Sequence, residues 1–520
     1  SLPVYSERLL LNSSPESQKP SVRLISSVYE PLPESQKALV SQNIESTLSI
    51  NSWVQTERNT NYLRYEFVPI RRNPQTGIIE RLVSFQPEII WENNPEENLR
   101  KSAESTSYAE QSVLASGLWY KISVTQTGIH RILYEDLLSF GFENPENIRV
   151  FGNGGQQLPF DSSLPRPDDL TENPIFIYKG NDGIFNDGDY VLFYAEGPIH
   201  WTYNSYYKMF VHRMHQYSDE AFYFLTTDVG TGKKVQPVQA VTQTANKNIS
   251  EYDFYTFREK DSLNLLHSGR LWCWKHFSIR TNWDFNITLE NKITDAPVEL
   301  LSSLWVRSSN TSPASKFYVE IDGQSVFSME FPGVNTSNYE ALFAATSTRK
   351  TEIITNKDAF SLAYQFAQSN PAAQGWLDYF DINTVSQLQY NNQALQFRSL
   401  ESVGENSITD FTIANAHDGL LLWDVTDIGE VFSIGHSSSA NSIRFKRETG
   451  ELREFLLFDP LDESIPSPQS EGGFLGSIQN QDLHGLPVPD MVILVQDELR
   501  DYAQEIADIH LENDQLESLL

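Results

Sequence analysis

Apolar and polar positions alternate along most of this chain, the period of a strand with one face covered. Residues 62–70 and 78–85 alternate in this way and flank Asn73-Pro74-Gln75-Thr76-Gly77, whose turn residues predict a hairpin. Alternation resumes at Leu118, Tyr120, Ile122 and Val124, with a turn at Gly128. A short amphipathic helix is predicted over 134–140, ended by Gly141 at the position of a C′ glycine. Strands are predicted at 148–151, 175–178 and 190–194, and the unit closes near Phe222-Tyr223-Phe224-Leu225. From 251 to 397 strands recur at sandwich-like spacing, for example 285–289, 299–306, 317–321 and 376–382. Turn residues separate them at Asp322-Gly323, Pro332-Gly333 and Asn370-Pro371. This pattern predicts a two-sheet sandwich of jelly-roll type.

The period changes near the end. Met491-Val492-Ile493-Leu494-Val495 is apolar on successive residues, as in a buried parallel strand. Asp497 suits an N-cap, and Leu499, Tyr502, Ala503, Ile506 and Ile509 then share one helical face. A strand followed by a helix opens an α/β domain, and a parallel strand needs a partner. The expectation is therefore the long N-terminal part of a larger protein, cut inside its next domain. The predicted fold is mainly β, several consecutive β-domains including a jelly-roll-like sandwich, ending in the first strand and helix of a truncated α/β domain. The predicted organisation is a β-domain at 1–91, a linker at 92–111 and a β-rich domain with a short helix at 112–235. The sandwich follows at 236–397, further strands at 398–462, a Pro-, Ser-, Gly- and acid-rich linker at 463–488 and the α/β start at 489–520.

Composition narrows the function classes. Of 520 residues, 39% are apolar and 12% aromatic, more than a disordered chain carries. Acids outnumber bases 69 to 38, a formal charge of −31, which excludes general binding to nucleic acid or to anionic lipid. One cysteine, Cys273, rules out an intrachain disulfide and suits several bacterial compartments. No run of 18 apolar residues predicts a membrane span. The chain opens on Ser1, as it would after removal of a leader or after a cut elsewhere.

Candidate chemistry is sparse. Cys273 lies in Leu271-Trp272-Cys273-Trp274-Lys275-His276. A nucleophile needs a base within hydrogen-bond reach. His276 is three residues along a strand, roughly 10 Å away and on the other face. A cysteine between two tryptophans reads as a buried small hydrophobe. The stretch 180–189 offers Asn181, Asp182, Asn186, Asp187 and Asp189, oxygen donors on a tight loop of the kind calcium takes. It lacks the glutamate at the twelfth position of an EF-hand, and two Asn-Asp-Gly turns joining strands are the favoured reading. His212 and His215 stand at helical i, i+3 spacing with no neighbouring third ligand, inside what reads as a surface aromatic loop over 203–217. His484 precedes the first α/β strand, away from the carboxyl ends where active groups gather, and reads as a packing or hydrogen-bonding residue. Trp201, Tyr203, Tyr206 and Tyr207 cluster before Phe210, and can stack on sugars, anchor a protein partner or fill a core.

Several segments occur in the order seen in one family. They are Ser116-Gly117-Leu118-Trp119-Tyr120-Lys121-Ile122-Ser123-Val124 with Thr127-Gly128-Ile129; Val150-Phe151-Gly152-Asn153-Gly154-Gly155; Gly180-Asn181-Asp182-Gly183-Ile184-Phe185-Asn186-Asp187-Gly188-Asp189-Tyr190; and Tyr217-Ser218-Asp219 leading to Phe222-Tyr223-Phe224-Leu225. Further on come Asn264-Leu265-Leu266-His267-Ser268-Gly269-Arg270-Leu271-Trp272, Trp376-Leu377-Asp378-Tyr379-Phe380, Leu422-Trp423-Asp424-Val425-Thr426-Asp427 and Asn480-Gln481-Asp482-Leu483-His484-Gly485-Leu486. In series they resemble the N-terminal half of PorU-like enzymes, gingipain-family cysteine endopeptidases (sortases) of the type IX secretion system of Bacteroidetes. The first hundred residues carry little of the resemblance. It implies that the α/β start is the opening of a caspase-like peptidase domain. The family's catalytic His and Cys lie downstream of that opening, so no catalytic residue is expected here and the chain should be inactive. The implied family role is removal of C-terminal sorting domains from cargo and attachment of cargo to the cell surface. For this region the resemblance implies positioning of the remaining peptidase domain, contact with a PorV-like outer-membrane barrel or secreted cargo, and a location at the cell surface against the outer membrane. The competing expectation is a multidomain β-sandwich surface carbohydrate-binding protein. A purely structural adhesin gives no reason for the strand–helix ending.

Overall fold

Period-two segments form mainly antiparallel sheets in the computed structural model. It describes residues 3–11, 18–33, 44–57, 60–93, 108–161, 163–228, 230–267, 269, 271–309, 313–338, 340–439 and 441–520. Most of the linker expected over 92–111, and Ser268 and Arg270 of the resemblance segment, lie outside these. Two compact units divide the chain, Ser1–Tyr108 and Ala109–Leu520.

In the first unit, Tyr5–Leu10, Thr60–Phe67 and Asn51–Glu57 make one three-stranded sheet, and Gln18–Pro31, Ile79–Asn93 and Ile70–Arg72 another. Leu63, Tyr65 and Phe67 are buried between partly buried apolar neighbours. The hairpin forms where expected: Arg72 pairs with Ile79, and Asn73 Oδ1 accepts from the amides of Gln75 and Thr76. The single strand expected over 62–70 is two strands in different sheets. Pro69 stands between them, and proline has no N–H to continue a ladder.

The second unit begins with a five-stranded sheet in the order Glu172–Asn173, Arg149–Phe151, Ala221–Thr226, Trp119–Val124, Gly476–Ile478. Ile175–Tyr178, Tyr190–Ala195 and Gly128–Leu133 form a three-stranded sheet, and the two share a core of Ile122, Val124, Ile132, Val191, Phe193, Tyr223 and Leu225. The helix predicted over 134–140 spans Tyr134–Ser139 and buries Leu137, and Gly141 follows with φ +96°.

The sandwich has eight principal strands. Counted along the chain, Glu251–Glu259, Gln374–Gln387, Val298–Arg307 and Ala345–Ile353 are the first, eighth, third and sixth and form one sheet. Asn282–Thr288, Ala359–Ala367, Ser315–Ile321 and Gln324–Phe331 are the second, seventh, fourth and fifth and form the other. This order is that of a jelly roll. Its core includes Phe277, Leu304, Phe317, Tyr364, Leu377 and Phe380. A last pair of sheets holds Leu395–Phe397, Leu421–Asp424 and Phe455–Phe458 over Ile408–Ala414 and Ser442–Glu448. Gln236–Pro237 and Lys247–Ile249 pair in parallel with Phe432–Ser433 and Ile408–Ala414, so they join this later block and not the sandwich. Leu192 and Tyr194 share a core with Trp423, Leu456 and Phe458, which fuses the block to the start of the unit.

Two expectations need correction here. The stretch 463–488 is not a free linker. Gly476–Ile478 covers the edge of Trp119–Val124, and Ser123 exchanges backbone hydrogen bonds with Gln469. An open sheet edge offers unpaired N–H and C=O groups, and this returning segment satisfies them. At the end of the chain only Met491–Val492 is strand, paired in parallel with Ser518–Leu519 across the helix Arg500–Asp514. Ala503 and Ala507 are the buried positions of that helix. Tyr502, Ile506 and Ile509 are 50–66% exposed, and Leu494 is 99% exposed.

Candidate functional site: an acidic aromatic cleft

The aromatic cluster of the sequence is a hairpin. Ile199–Asn204 pairs with Met209–Met214, with Trp201 opposite His212 and Tyr203 opposite Phe210. Its turn is closed by Asn204 Oδ1, which accepts from the amides of Tyr206 and Tyr207. The hairpin is tied to the sandwich by polar groups that take the place of a strand ladder. Phe210 donates its amide to Asn383 Oδ1 at 2.6 Å, and Asn383 Nδ2 donates to the Phe210 carbonyl at 2.9 Å. Lys350 Nζ donates to the Tyr207 carbonyl and to Glu299, each at 2.6 Å.

Beneath the hairpin His212 is a buried ion-pair centre. Its Nε2 donates to Glu259 at 2.5 Å, and its Nδ1 donates to Asp381. Burial pushes the imidazole pKa down, but the two carboxylates outweigh it and hold it up at about 9. Burial and the charge of Glu259 lift Asp378, on the same sandwich strand, to about 7. Neither a helix nor a metal pair follows from the His212/His215 spacing. His212 lies in a strand, and His215 lies just beyond it, accepting from the Tyr217 amide.

Beside this centre opens a cleft of about 420 Å³. Trp201, Tyr255 and Phe257 supply aromatic walls, with the Trp201 and Tyr255 rings 4.3 Å apart. Residues 125–127 and 394–396, with Glu196, Asp253, Glu290, Arg398 and Glu454, also line it. Arg398 pairs with Glu454 and lies 5.1 Å from the Tyr255 ring centre and 5.2 Å from that of Phe210. Gln396 bridges Glu454 at 2.6 Å and the Tyr194 hydroxyl at 2.9 Å. Burial raises the Glu196 carboxyl against the Gln156 amide that donates to it at 3.1 Å, and Glu454 raises it further. Burial also raises Asp253, which accepts from the Leu400 amide at 2.6 Å. Burial lowers His200, and the charge of Arg398 lowers it further. The loops around the mouth depend on glycine. A Cβ on Gly155 would stand 2.3 Å from the Gly197 carbonyl oxygen, and one on Gly197 would stand 2.8 Å from the Gln126 backbone.

The remaining sequence candidates are scattered. Trp201 reaches the cleft, Tyr203 and Phe210 pack against each other, and Tyr206 is exposed at the hairpin turn. Cys273 is fully buried against Ala344 and Trp376, and burial pushes its thiol far up. His276 lies parallel to the Trp376 ring. In the 180–189 loop Asp182 accepts from the Ile184 amide and from Asn186 Nδ2, and Asp189 accepts from the Asn186 amide. Asp187 faces Glu135, whose carboxylate hydrogen-bonds and repels it and raises its pKa. Asn181 is exposed, and no group of three or more His, Cys, Asp or Glu among the described residues is arranged to hold a metal. His484 faces the Asp168 carbonyl at 3.2 Å. The sequence reading missed Glu196, Asp253, Gln396, Arg398 and Glu454. Alternation puts Gln396 and Arg398 on one strand face, but nothing local shows that Glu454 lies opposite them. Asp378 and Asp381, acids inside an apolar strand, were the visible sign of the His212 centre.

No family model matches the chain, and no curated protein matches it. Among solved structures it is similar to dimeric latent PorU from Porphyromonas gingivalis, with 24% identity and a TM-score of 0.67 over 79% of this chain and 38% of that one. The chain thus spans well under half the length of that protein. Two others overlap poorly. The insecticidal delta-endotoxin Cry8Ea1 from Bacillus thuringiensis has 10% identity and a TM-score of 0.19, over 71% of this chain and 60% of that one. PNGF-II has 7% identity and a TM-score of 0.21, over 70% of this chain and 85% of that one. Across most of its length, then, this chain has a PorU-like fold.

Proposed function

We propose that this chain is the non-catalytic N-terminal region of a PorU-like cysteine endopeptidase (sortase) of the type IX secretion system. Its β-layers position the peptidase and meet a PorV-like outer-membrane barrel or secreted cargo at the cell surface. The observation that supports this reading is the PorU-like fold across 79% of the chain. The family-ordered segments add to it, because several are long-range structural joints. Asn480 Nδ2 donates to the carbonyls of Leu114 and Gly117, and the Ser112 amide donates to Asp482. The closing strand–helix–strand is read as the opening of the caspase-like layer. No helix among the described residues is long and apolar enough to cross a membrane. With a formal charge of −31, attachment to the outer membrane goes through protein. The test is biolayer interferometry of the purified chain against a detergent-solubilised PorV-like barrel and against a cargo C-terminal domain. Saturable binding to either supports the reading, and absence of binding to both overturns it.

The second reading, a surface carbohydrate-binding protein, has one observation in its favour. Trp201 and Tyr255 offer ring faces in a concave site. A glycan array read on the intact chain tests it, and fold alone does not license it.

A further inference from the structure

The cleft under the 199–214 hairpin has a chemistry of its own, independent of the PorU-like reading. Its volume, about 420 Å³, falls in the range of ligand pockets. Four carboxylates line it, those of Glu196, Asp253, Glu290 and Glu454, against one guanidinium, that of Arg398. Arg398 is engaged by Glu454. Among the described residues no Lys or Arg forms an ion pair with Glu196, Asp253 or Glu290. Burial and neighbouring carboxylates raise Glu196 and Asp253, and the charge of Arg398 offsets only part of this. Aromatic faces, whose centres are electron-rich, form the rest of the wall. The wall already shows that it suits a cation, because Arg398 itself sits over Tyr255.

We infer that this cleft binds one ammonium or guanidinium group, seated against Trp201 among the carboxylates of Glu196, Asp253 and Glu290. The group comes either on a Lys or Arg side chain of a peptide or on a free small amine. An anion is excluded by the surplus of carboxylates. A neutral sugar would satisfy hydroxyl geometry but would leave the surplus of carboxylate charge uncompensated. A cation supplies the counter-charge, and its alkyl stem suits the aromatic wall.

The experiment is isothermal titration of the intact chain at pH 7 and low ionic strength. The peptide-like probes are N-acetyl-lysine amide and N-acetyl-arginine amide, and the free amines are butylamine and butylguanidine, each carrying one charge. The neutral isosteres are N-acetyl-norleucine amide and N-acetyl-citrulline amide, and a neutral oligosaccharide panel completes the set. Cationic probes are expected to bind saturably and at least tenfold more tightly than their neutral isosteres, weakening as salt rises. Tighter binding of the capped amino acids identifies a peptide side chain as the source, and tighter binding of the free amines identifies a small amine. Glu196→Gln and Trp201→Ala should each lower the affinity tenfold or more with an unchanged circular dichroism spectrum. Should either variant fail to fold, the isostere comparison on the unaltered chain still decides. Equal affinity for citrulline and arginine, tighter binding of an oligosaccharide, or no cation binding up to millimolar concentration overturns the inference.

Discussion

His212 is an imidazole between two carboxylates inside a β-sandwich, and that sets how stability follows pH. Its pKa is raised from an ordinary 6.5 to about 9. A raised value means that the folded state holds the proton more tightly, so the contribution is complete below about pH 6.5 and fades as pH rises through about 9. The shift corresponds to roughly 3 kcal/mol. Urea unfolding from pH 6 to pH 10 should show that loss. His212→Gln should flatten the alkaline limb and lower stability throughout, because Asp381 and Glu259 then lack their cation. Asp424 is a second buried ion-pair centre. Buried among Arg447, Arg453 and Thr426, it should cost about 3–5 kcal/mol as Asp424→Ala, because Arg447 is left charged and without its partner. Cys273 should resist thiol reagents in the folded chain and react fully in denaturant, since burial removes both access and thiolate.

For single elements, the 180–189 loop is the clearest test. Asp182 and Asp189 accept from amides within the loop, as a turn requires, and Gly183 carries φ +72°. Scanning calorimetry with millimolar calcium and with chelator should therefore give superimposable melts. Asp189→Ala should lower the melting temperature equally in both, because the Asn186 amide loses its acceptor. A calcium-dependent shift abolished by Asp187→Ala would restore the metal reading. Legibility also divides at this scale. Alternation located the jelly-roll strands, and Gly141 located the end of the 134–139 helix, because both signals are local. Pairing partners were not legible. Nothing near Gln236 or Lys247 says that they join strands at 432 and 408, and nothing near Gly476 points to Trp119. The closing helix shows the limit of periodicity. Its bulky stripe at Tyr502, Ile506 and Ile509 is exposed while Ala503 and Ala507 are buried, because periodicity tells which residues share a face and not what covers it.

On the scale of the molecule, the second unit is held together by its two ends. Tyr120 donates its hydroxyl to the Ser470 carbonyl, and the two residues are 350 positions apart. Asp482→Ala should raise hydrogen exchange at Ser112 and along Trp119–Val124 while leaving the jelly roll protected. Mass-spectrometric exchange, peptide by peptide, checks this. The same joint sets a clock for the growing polypeptide. At about 5–20 residues added per second, the Trp119–Val124 strand waits roughly 20–70 s for the segment that closes its edge. Until then the first sheet of the unit has an open side. A polypeptide stalled before Gly476 should stay sensitive to protease and open to chaperones at that side, long after its jelly roll has been made.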